Sequence, residues 1–171
     1  MKIVVYAICK NEAQFVQRWV DSMKEADEIV VLDTGSQDDT PKLLEKNGVK
    51  VVTETIVPWR FDKARNRSLE LAPEDADICV CTDLDEVFEP GWRKYLEEAW
   101  AEGTGQAKYR YTWSFTEEGK EGVVFWIEKI HRRHGYKWSH QVHEVLKWVG
   151  AGAPGPSLKA EGIQSNHYTD S

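Results

Sequence analysis

The sequence predicts a single α/β domain with a mostly parallel sheet flanked by helices. Short apolar runs alternate four times with segments of helical periodicity, which is typical of a sheet covered on both faces. The runs are nearly continuous in β-forming residues, as expected of strands buried on both sides. A chain of 171 residues can bury a sizeable core but is short for two domains. We therefore predict one domain over residues 1–171, with a first half at 1–102 and a second half at 103–171.

The first half is predicted to hold four strands with helices between and after them. The predicted strands cover residues 3–9, 28–33, 49–53 and 77–82. The predicted helices cover residues 13–25, 40–47, 64–71 and 92–102. Within the second of these, Thr40-Pro41 and Asn47-Gly48 are typical of a helix start and a helix end.

The second half has a different pattern, in which aromatic and polar side chains alternate. Residues 107–115 form such a strand, and residues 123–130 are its expected partner across a Gly- and Glu-containing turn at 117–122. Residues 163–168 form a further short strand-like segment. This half therefore predicts a small antiparallel hairpin.

The composition excludes some classes of function. A formal net charge of −7 argues against broad nucleic-acid binding, because phosphates require clustered Lys and Arg. A local basic strip leaves a nucleic-acid contact open, and it consists of Lys129, Arg132, Arg133 and Lys137. The first apolar run is too short to cross a membrane, and the three cysteines lack zinc-type spacing. We expect a cytoplasmic protein with reduced cysteines and no transmembrane segment.

Polar residues follow three of the predicted strands. Asn11, Asp33 and Asp83 fall at the carboxyl ends, where ligands bind in sheets of this kind. If the chain is extended there, Asp83 and Asp85 point to the same side. Paired carboxylates are ligands that Mg²⁺ and Mn²⁺ prefer. The alternative is a solvated acidic turn, which is common at strand ends.

Several motifs, taken in order, resemble family 2 glycosyltransferases. They are Lys10-Asn11-Glu12, Asp33-Thr34-Gly35-Ser36, Ala64-Arg65-Asn66, Asp83-Leu84-Asp85-Glu86, Val142-His143-Glu144-Val145 and His167-Tyr168. The resemblance covers nearly the whole chain and is to minimal bacterial or phage members. It implies the GT-A fold, a Rossmann-like sheet, with the hairpin on the acceptor side.

The resemblance also implies a donor site for a nucleotide-sugar, most simply a UDP-sugar. Asp33 is similar to the residue that binds uracil in this family, and Asp83 to the one that meets ribose or sugar. Asp85 and His167 would hold a Mn²⁺ or Mg²⁺ ion. The other residues that the resemblance places at the donor are Ala7, Ile8, Asn11 and Arg65.

Transfer with inversion is a single displacement that requires one base to deprotonate the acceptor. Glu144 is the candidate base by resemblance, and Glu86 is the alternative. Two other functions stay open: a nucleotide-sugar-binding module without transfer, and a nucleotidyltransferase. The latter uses a glycine-rich loop after the first strand, and the segment from Ala7 to Glu12 contains no glycine. The acceptor, whether glycan, protein or modified base, is not determined by the sequence.

Overall fold

The computed structural model describes residues 1–169, so residues 170 and 171, the end of the predicted domain, lie outside it. The strands are β1 (Ile3–Cys9), β2 (Glu28–Asp33), β3 (Lys50–Thr53), β4 (Ile78–Cys81), β5 (Glu86–Phe88), β6 (Gln106–Thr112), β7 (Val124–Arg132), β8 (Tyr136–Ser139), β9 (Val145–Trp148) and β10 (Ser157–His167). The helices are α1 (Val16–Met23), α2 (Thr40–Lys46), α3 (Phe61–Glu70) and α4 (Trp92–Ala99), with a 3-10 turn at Ala13–Phe15.

One large sheet of eight strands organises the fold, in the order β3-β2-β1-β4-β7-β6-β10-β5. The first four strands in this order are parallel, so their carboxyl ends share one edge. Strand β7 is antiparallel to both β4 and β6, and β10 runs parallel to β6. Strands β8 and β9 form a separate antiparallel pair.

Apolar side chains cover the sheet on both faces. On one face, Trp19 of α1, Leu44 of α2 and Leu96 of α4 pack onto alternate residues of β1, β2 and β4. On the other face, Leu69 of α3 and Trp138 of β8 pack onto the remaining residues of the same strands. Strands buried on two sides explain why their sequence is continuously apolar rather than alternating.

The predicted α/β class is confirmed, and the predicted strands and helices are present with ends shifted by a few residues. The predicted hairpin is β6–β7, which joins the main sheet between β4 and β10. Strands β5, β8 and β9 were not predicted. The three cysteines are buried and unpaired, as predicted. Among residues 1–169, no helix combines the length and apolar character needed to cross a membrane.

The expectation that residues 83–85 are extended is wrong. Leu84 and Asp85 form a turn, which the backbone N–H of Glu86 closes by donating to the carbonyl of Asp83 at 3.0 Å. The alternation argument therefore does not apply. Both aspartates still reach the same cavity, but each has different partners.

Candidate active site

Two adjoining cavities open where the parallel strands end. The first has a volume of about 580 Å³, and its wall includes Ile8, Glu12, Trp59, Phe61 and Asp85. The second has a volume of about 400 Å³, and its wall includes Lys129, Trp138, Glu144, Val145 and Leu146. Arg65 and Asp83 line both, so they form the boundary between the two cavities.

Arg65, on α3, connects residues of both cavities through its guanidinium. Its Nη2 donates to Oδ1 of Asp83 at 2.6 Å, and its Nε donates to Oε1 of Glu144 at 3.0 Å. The arginine side chain is only 7% exposed. Three residues that the sequence assigned to separate roles are therefore held in one ion-paired group.

Lys129 is a second buried cation of the site, and sequence reasoning gave it no role there. Its Nζ lies 2.9 Å from Oε1 of Glu86 and 3.5 Å from Oδ2 of Asp83. On β7 one extra residue stands between the ladder partners Glu128 and Ile130, so Lys129 occupies a β-bulge. Burial alone would lower the pKa of Lys129, but the two carboxylates raise it above its ordinary value.

The two aspartates have opposite electrostatic surroundings. Desolvation alone would raise the pKa of Asp83, but Arg65 and Lys129 hold that pKa well below its ordinary value. The pKa of Asp85 is raised, because desolvation and the charge of Asp83 outweigh the opposing effect of His167. Asp83 is already paired with two cations, whereas Asp85 is the carboxylate that gains more from an added cation.

Glu86, the alternative base, is 1% exposed. Its Oε1 accepts from the backbone N–H of Asp83 at 3.1 Å as well as from Lys129. Its Oε2 accepts from the hydroxyls of Tyr109 and Ser165, both at 2.9 Å. Four hydrogen-bond donors surround the Glu86 carboxylate, and its bond to the backbone N–H of Asp83 stabilises the turn that begins there.

Asp85 and His167 meet although they are far apart in the chain. Nε2 of His167 lies 2.9 Å from Oδ2 of Asp85, and Nδ1 donates to the carbonyl of Trp113 at 2.9 Å. Because a carbonyl only accepts, the bond to Trp113 uses Nδ1 and leaves Nε2 as the ring nitrogen that faces Oδ2 of Asp85. Within residues 1–169 no group of three or more His, Cys, Asp or Glu ligands is present. Two ligands fit Mg²⁺ or Mn²⁺ when substrate phosphates and water complete the shell.

The predicted base-binding residues hold two strand-end loops together. Asp33 is completely buried, and its Oδ2 accepts from the backbone N–H groups of Gly35 at 3.3 Å and Ser36 at 3.0 Å. Asn11 has a positive φ of 52°, and its Oδ1 accepts from the backbone N–H of Gln37 at 2.7 Å. The loops after β1 and β2 are therefore fixed to each other beside the first cavity.

The first cavity has residues that the sequence did not identify. Ile8 lines it, while Ala7 is completely buried inside β1. Trp59 and Phe61, which are 45% and 38% exposed, meet edge to face with ring centroids 5.1 Å apart. Burial is the main cause that raises the pKa of Glu12 to about 7. Glu12 belongs to the Lys10-Asn11-Glu12 motif but was given no role of its own, whereas nothing local in the sequence indicated the aromatic pair.

Comparison with known proteins identifies the family. The model of the family described as glycosyl transferase family 2 matches residues 4–146. A TPR repeat-containing protein of Synechococcus elongatus is 31% identical over 146 residues, which are 81% of this chain and 34% of that protein. An uncharacterized glycosyltransferase of Rickettsia conorii is 46% identical over 59 residues, which are 34% of this chain and 20% of that protein.

A solved structure of glucosyl-3-phosphoglycerate synthase from Mycobacterium tuberculosis has a TM-score of 0.54 and 29% identity, over 64% of this chain and 44% of that one. It contains Mn²⁺, uridine diphosphate and glucosyl-3-phosphoglycerate. Two further structures of that synthase contain Mg²⁺ with uridine diphosphate, and Mn²⁺ with UDP-glucose and phosphoglyceric acid. This chain spans about a third of the length of the Synechococcus relative and less than half of the synthase. The resemblance seen in the motifs is confirmed, and the chain belongs to glycosyl transferase family 2.

Proposed function

We propose that the protein transfers a sugar from a UDP-sugar to an acceptor hydroxyl, with inversion at the sugar carbon. The observation that carries this proposal is that one cavity is lined both by the Arg65–Asp83 ion pair and by Asp85, which is itself paired with His167. Family membership and the uridine diphosphate complexes of the mycobacterial synthase support it.

The donor occupies the first cavity, whose volume is in the usual range for small-molecule sites. Ile8 and the backbone near Ala7 line the base and ribose. Asn11 and Asp33 act at the base end through the loops that they fix. Asp83 contacts the ribose or the sugar, since a carboxylate oxygen accepts from hydroxyls. Arg65 contacts the base or the phosphates from the first-cavity side, while it keeps its bonds to Asp83 and Glu144.

Asp85 and His167 hold the divalent cation. An imidazole ligand favours Mn²⁺ over Mg²⁺, because it is softer than a carboxylate. When bound, the cation neutralises charge on the departing diphosphate. The carbonyl of Trp113 orients His167 for this role.

Glu144 is the base in this proposal. Arg65 holds its Oε1, and within residues 1–169 Oε2 makes no hydrogen bond, so Oε2 is available to receive the acceptor proton. Glu144 lines the second cavity together with the shared Asp83, which supports a base that acts between the proposed donor and acceptor. Glu86 remains the alternative, although four hydrogen bonds favour a role in holding Asp83.

The test combines donor binding with transfer. Calorimetry with uridine diphosphate and Mn²⁺ measures the donor site, and product formation from UDP-sugars and a panel of acceptors measures transfer. Glu144→Gln should retain donor affinity while transfer falls about 10²-fold or more. Glu161→Gln, the same change at an exposed position on β10, is the matched control and should leave both unchanged.

Three outcomes would contradict parts of the proposal. Near-normal transfer by Glu144→Gln would move the base role to Glu86 or another group. Tight binding of UDP-sugars without transfer to any acceptor would favour a binding module. Synthesis of a nucleotide-sugar from a nucleoside triphosphate and a sugar phosphate would favour a nucleotidyltransferase.

A further inference from the structure

We propose that the second cavity binds an uncharged sugar as the acceptor, and that it excludes acceptors that carry a carboxylate or phosphate at the reacting end. This inference rests on the proposed function, because it names the substrate class of the same site. The proposed acceptor differs in charge from the phosphoglyceric acid found in solved complexes of the mycobacterial synthase, which is anionic.

The charge of the cavity wall is the first argument. Both of its strong cations are already paired: Arg65 with Asp83 and Glu144, and Lys129 with Glu86 and Asp83. Each is at most 7% exposed at the side chain. Turning Lys129 toward a new anion in this cavity would leave the buried Glu86 without a cation, and turning Arg65 would break its pairs with Asp83 and Glu144. An anionic acceptor would therefore meet more carboxylates than free cations.

The mixture of polar and apolar groups is the second argument. Glu144 and Asp83 offer carboxylate oxygens, which accept hydrogen bonds from hydroxyl groups. Ile127, Val145 and Leu146 supply an apolar wall on the same cavity. A sugar ring has hydroxyls on its rim and C–H groups on its faces, so it matches such a wall. The cavity volume of about 400 Å³ is sufficient for one ring.

The position of the cavity is the third argument. Arg65 and Asp83 separate it from the first cavity by only one ion pair, so a hydroxyl held there is adjacent to the donor. Glu144 lies on the second-cavity side of that boundary, with Oε1 held by Arg65. An acceptor hydroxyl at Oε2 would face the donor cavity across the shared aspartate.

The test uses saturation-transfer NMR on the protein with Mg²⁺ and uridine diphosphate, after calorimetry has shown that this pair binds. The probes are methyl glycosides of common hexoses, N-acetylserinamide and 3-phosphoglycerate. We expect an NMR saturation-transfer signal, which reports binding, for at least one glycoside and no such signal for 3-phosphoglycerate. Val145→Trp should reduce the glycoside signal at least fivefold, because Val145 is 48% exposed and lines the cavity. The control Val149→Trp, at a 60% exposed valine outside the cavity wall, should leave it unchanged.

The outcomes separate this inference from the proposed function. Binding of 3-phosphoglycerate or N-acetylserinamide in place of the glycosides, sensitive to Val145→Trp, would overturn the sugar class. Glycoside binding that Val145→Trp does not affect would overturn the site. Binding of uridine diphosphate without binding of any glycoside would overturn this inference alone, whereas failure of uridine diphosphate to bind would overturn both.

Discussion

Lys129 provides a sharp test of how the site is held. Replacing it by Met keeps most of the stem but removes a charge that is 2.9 Å from Glu86 and 3.5 Å from Asp83. Glu86 is 1% exposed and would be left as a buried carboxylate without a cation. Removing one partner of a buried pair costs about 3–5 kcal/mol, and we expect Lys129→Met to lower the free energy of unfolding by that amount.

Urea denaturation followed by tryptophan fluorescence measures this loss. The matched control is Lys159→Met, at an exposed lysine whose Nζ lies 4.5 Å from the ring centroid of Trp126. That change should cost about 1 kcal/mol or less, as expected for an exposed cation–π contact.

A double variant separates the ion pair from simple packing. Glu86→Gln combined with Lys129→Met removes both charges, and Asp83 keeps its bond to Arg65. With the Glu86→Gln single variant measured as well, the double variant should lose about 0.5–3 kcal/mol less stability than the sum of the two single changes, which is the size of a direct coupling between neighbours. A cost below about 1 kcal/mol for Lys129→Met, or strict additivity in the double variant, would refute the claim that Lys129 stabilises the carboxylates.

Three further predictions follow from other parts of the structure. Burial lowers the pKa of His131 from 6.5 to about 4, and its Nε2 lies 2.7 Å from the hydroxyl of Tyr6. Between pH 6.5 and pH 4 the unfolded chain therefore binds a proton that the folded chain does not. The free energy of unfolding should be about 2 kcal/mol lower at pH 5 than above pH 6.5. Urea titrations of His131→Gln should not show this loss. His167→Ala should weaken the Mn²⁺-dependent binding of uridine diphosphate, measured by calorimetry, about tenfold or more, because loss of a group that supports a metal site typically costs that much metal affinity. Unchanged Mn²⁺ dependence would contradict the proposal that His167 is a metal ligand. Gly155→Ala should lower the melting temperature, because the new Cβ would clash with the backbone carbonyl oxygen of Gly103; an unchanged melting temperature would mean that this loop adjusts freely.

The first half of the fold was predictable because its signals are local. Strands β1, β2 and β4 are nearly continuous apolar runs, and the helices between them show their own apolar periodicity. The second half depends on partners that are remote in the chain. Strand β5 has three residues and exists through its pairing with β10. Strands β8 and β9 lie in a His- and Trp-rich stretch whose pattern indicates neither strand nor helix.

The bulge on β7 shows why Lys129 could not be assigned. A strict alternation would place Ile127 and Ile130 on opposite faces, yet both pack on the side of the sheet that carries Tyr109. The extra residue between Glu128 and Ile130 causes this change, and Lys129 reaches the same side, where Glu86 bonds to Tyr109. No local residue preference marks the bulge, since it is set by the register of β7 against β6.

The different surroundings of Asp83 and Asp85 have the same origin. By residue type the two carboxylates, separated by one residue, are alike, and only the family resemblance assigned them different roles. In the fold, Arg65 and Lys129 neutralise Asp83, whereas His167 is the one basic partner that the described residues supply to Asp85. A divalent cation placed at Asp83 would compete with two buried cations, but at Asp85 it would meet a carboxylate whose pKa is raised, with Nε2 of His167 2.9 Å away. These long-range partners therefore support the proposal that Asp85 is the metal ligand.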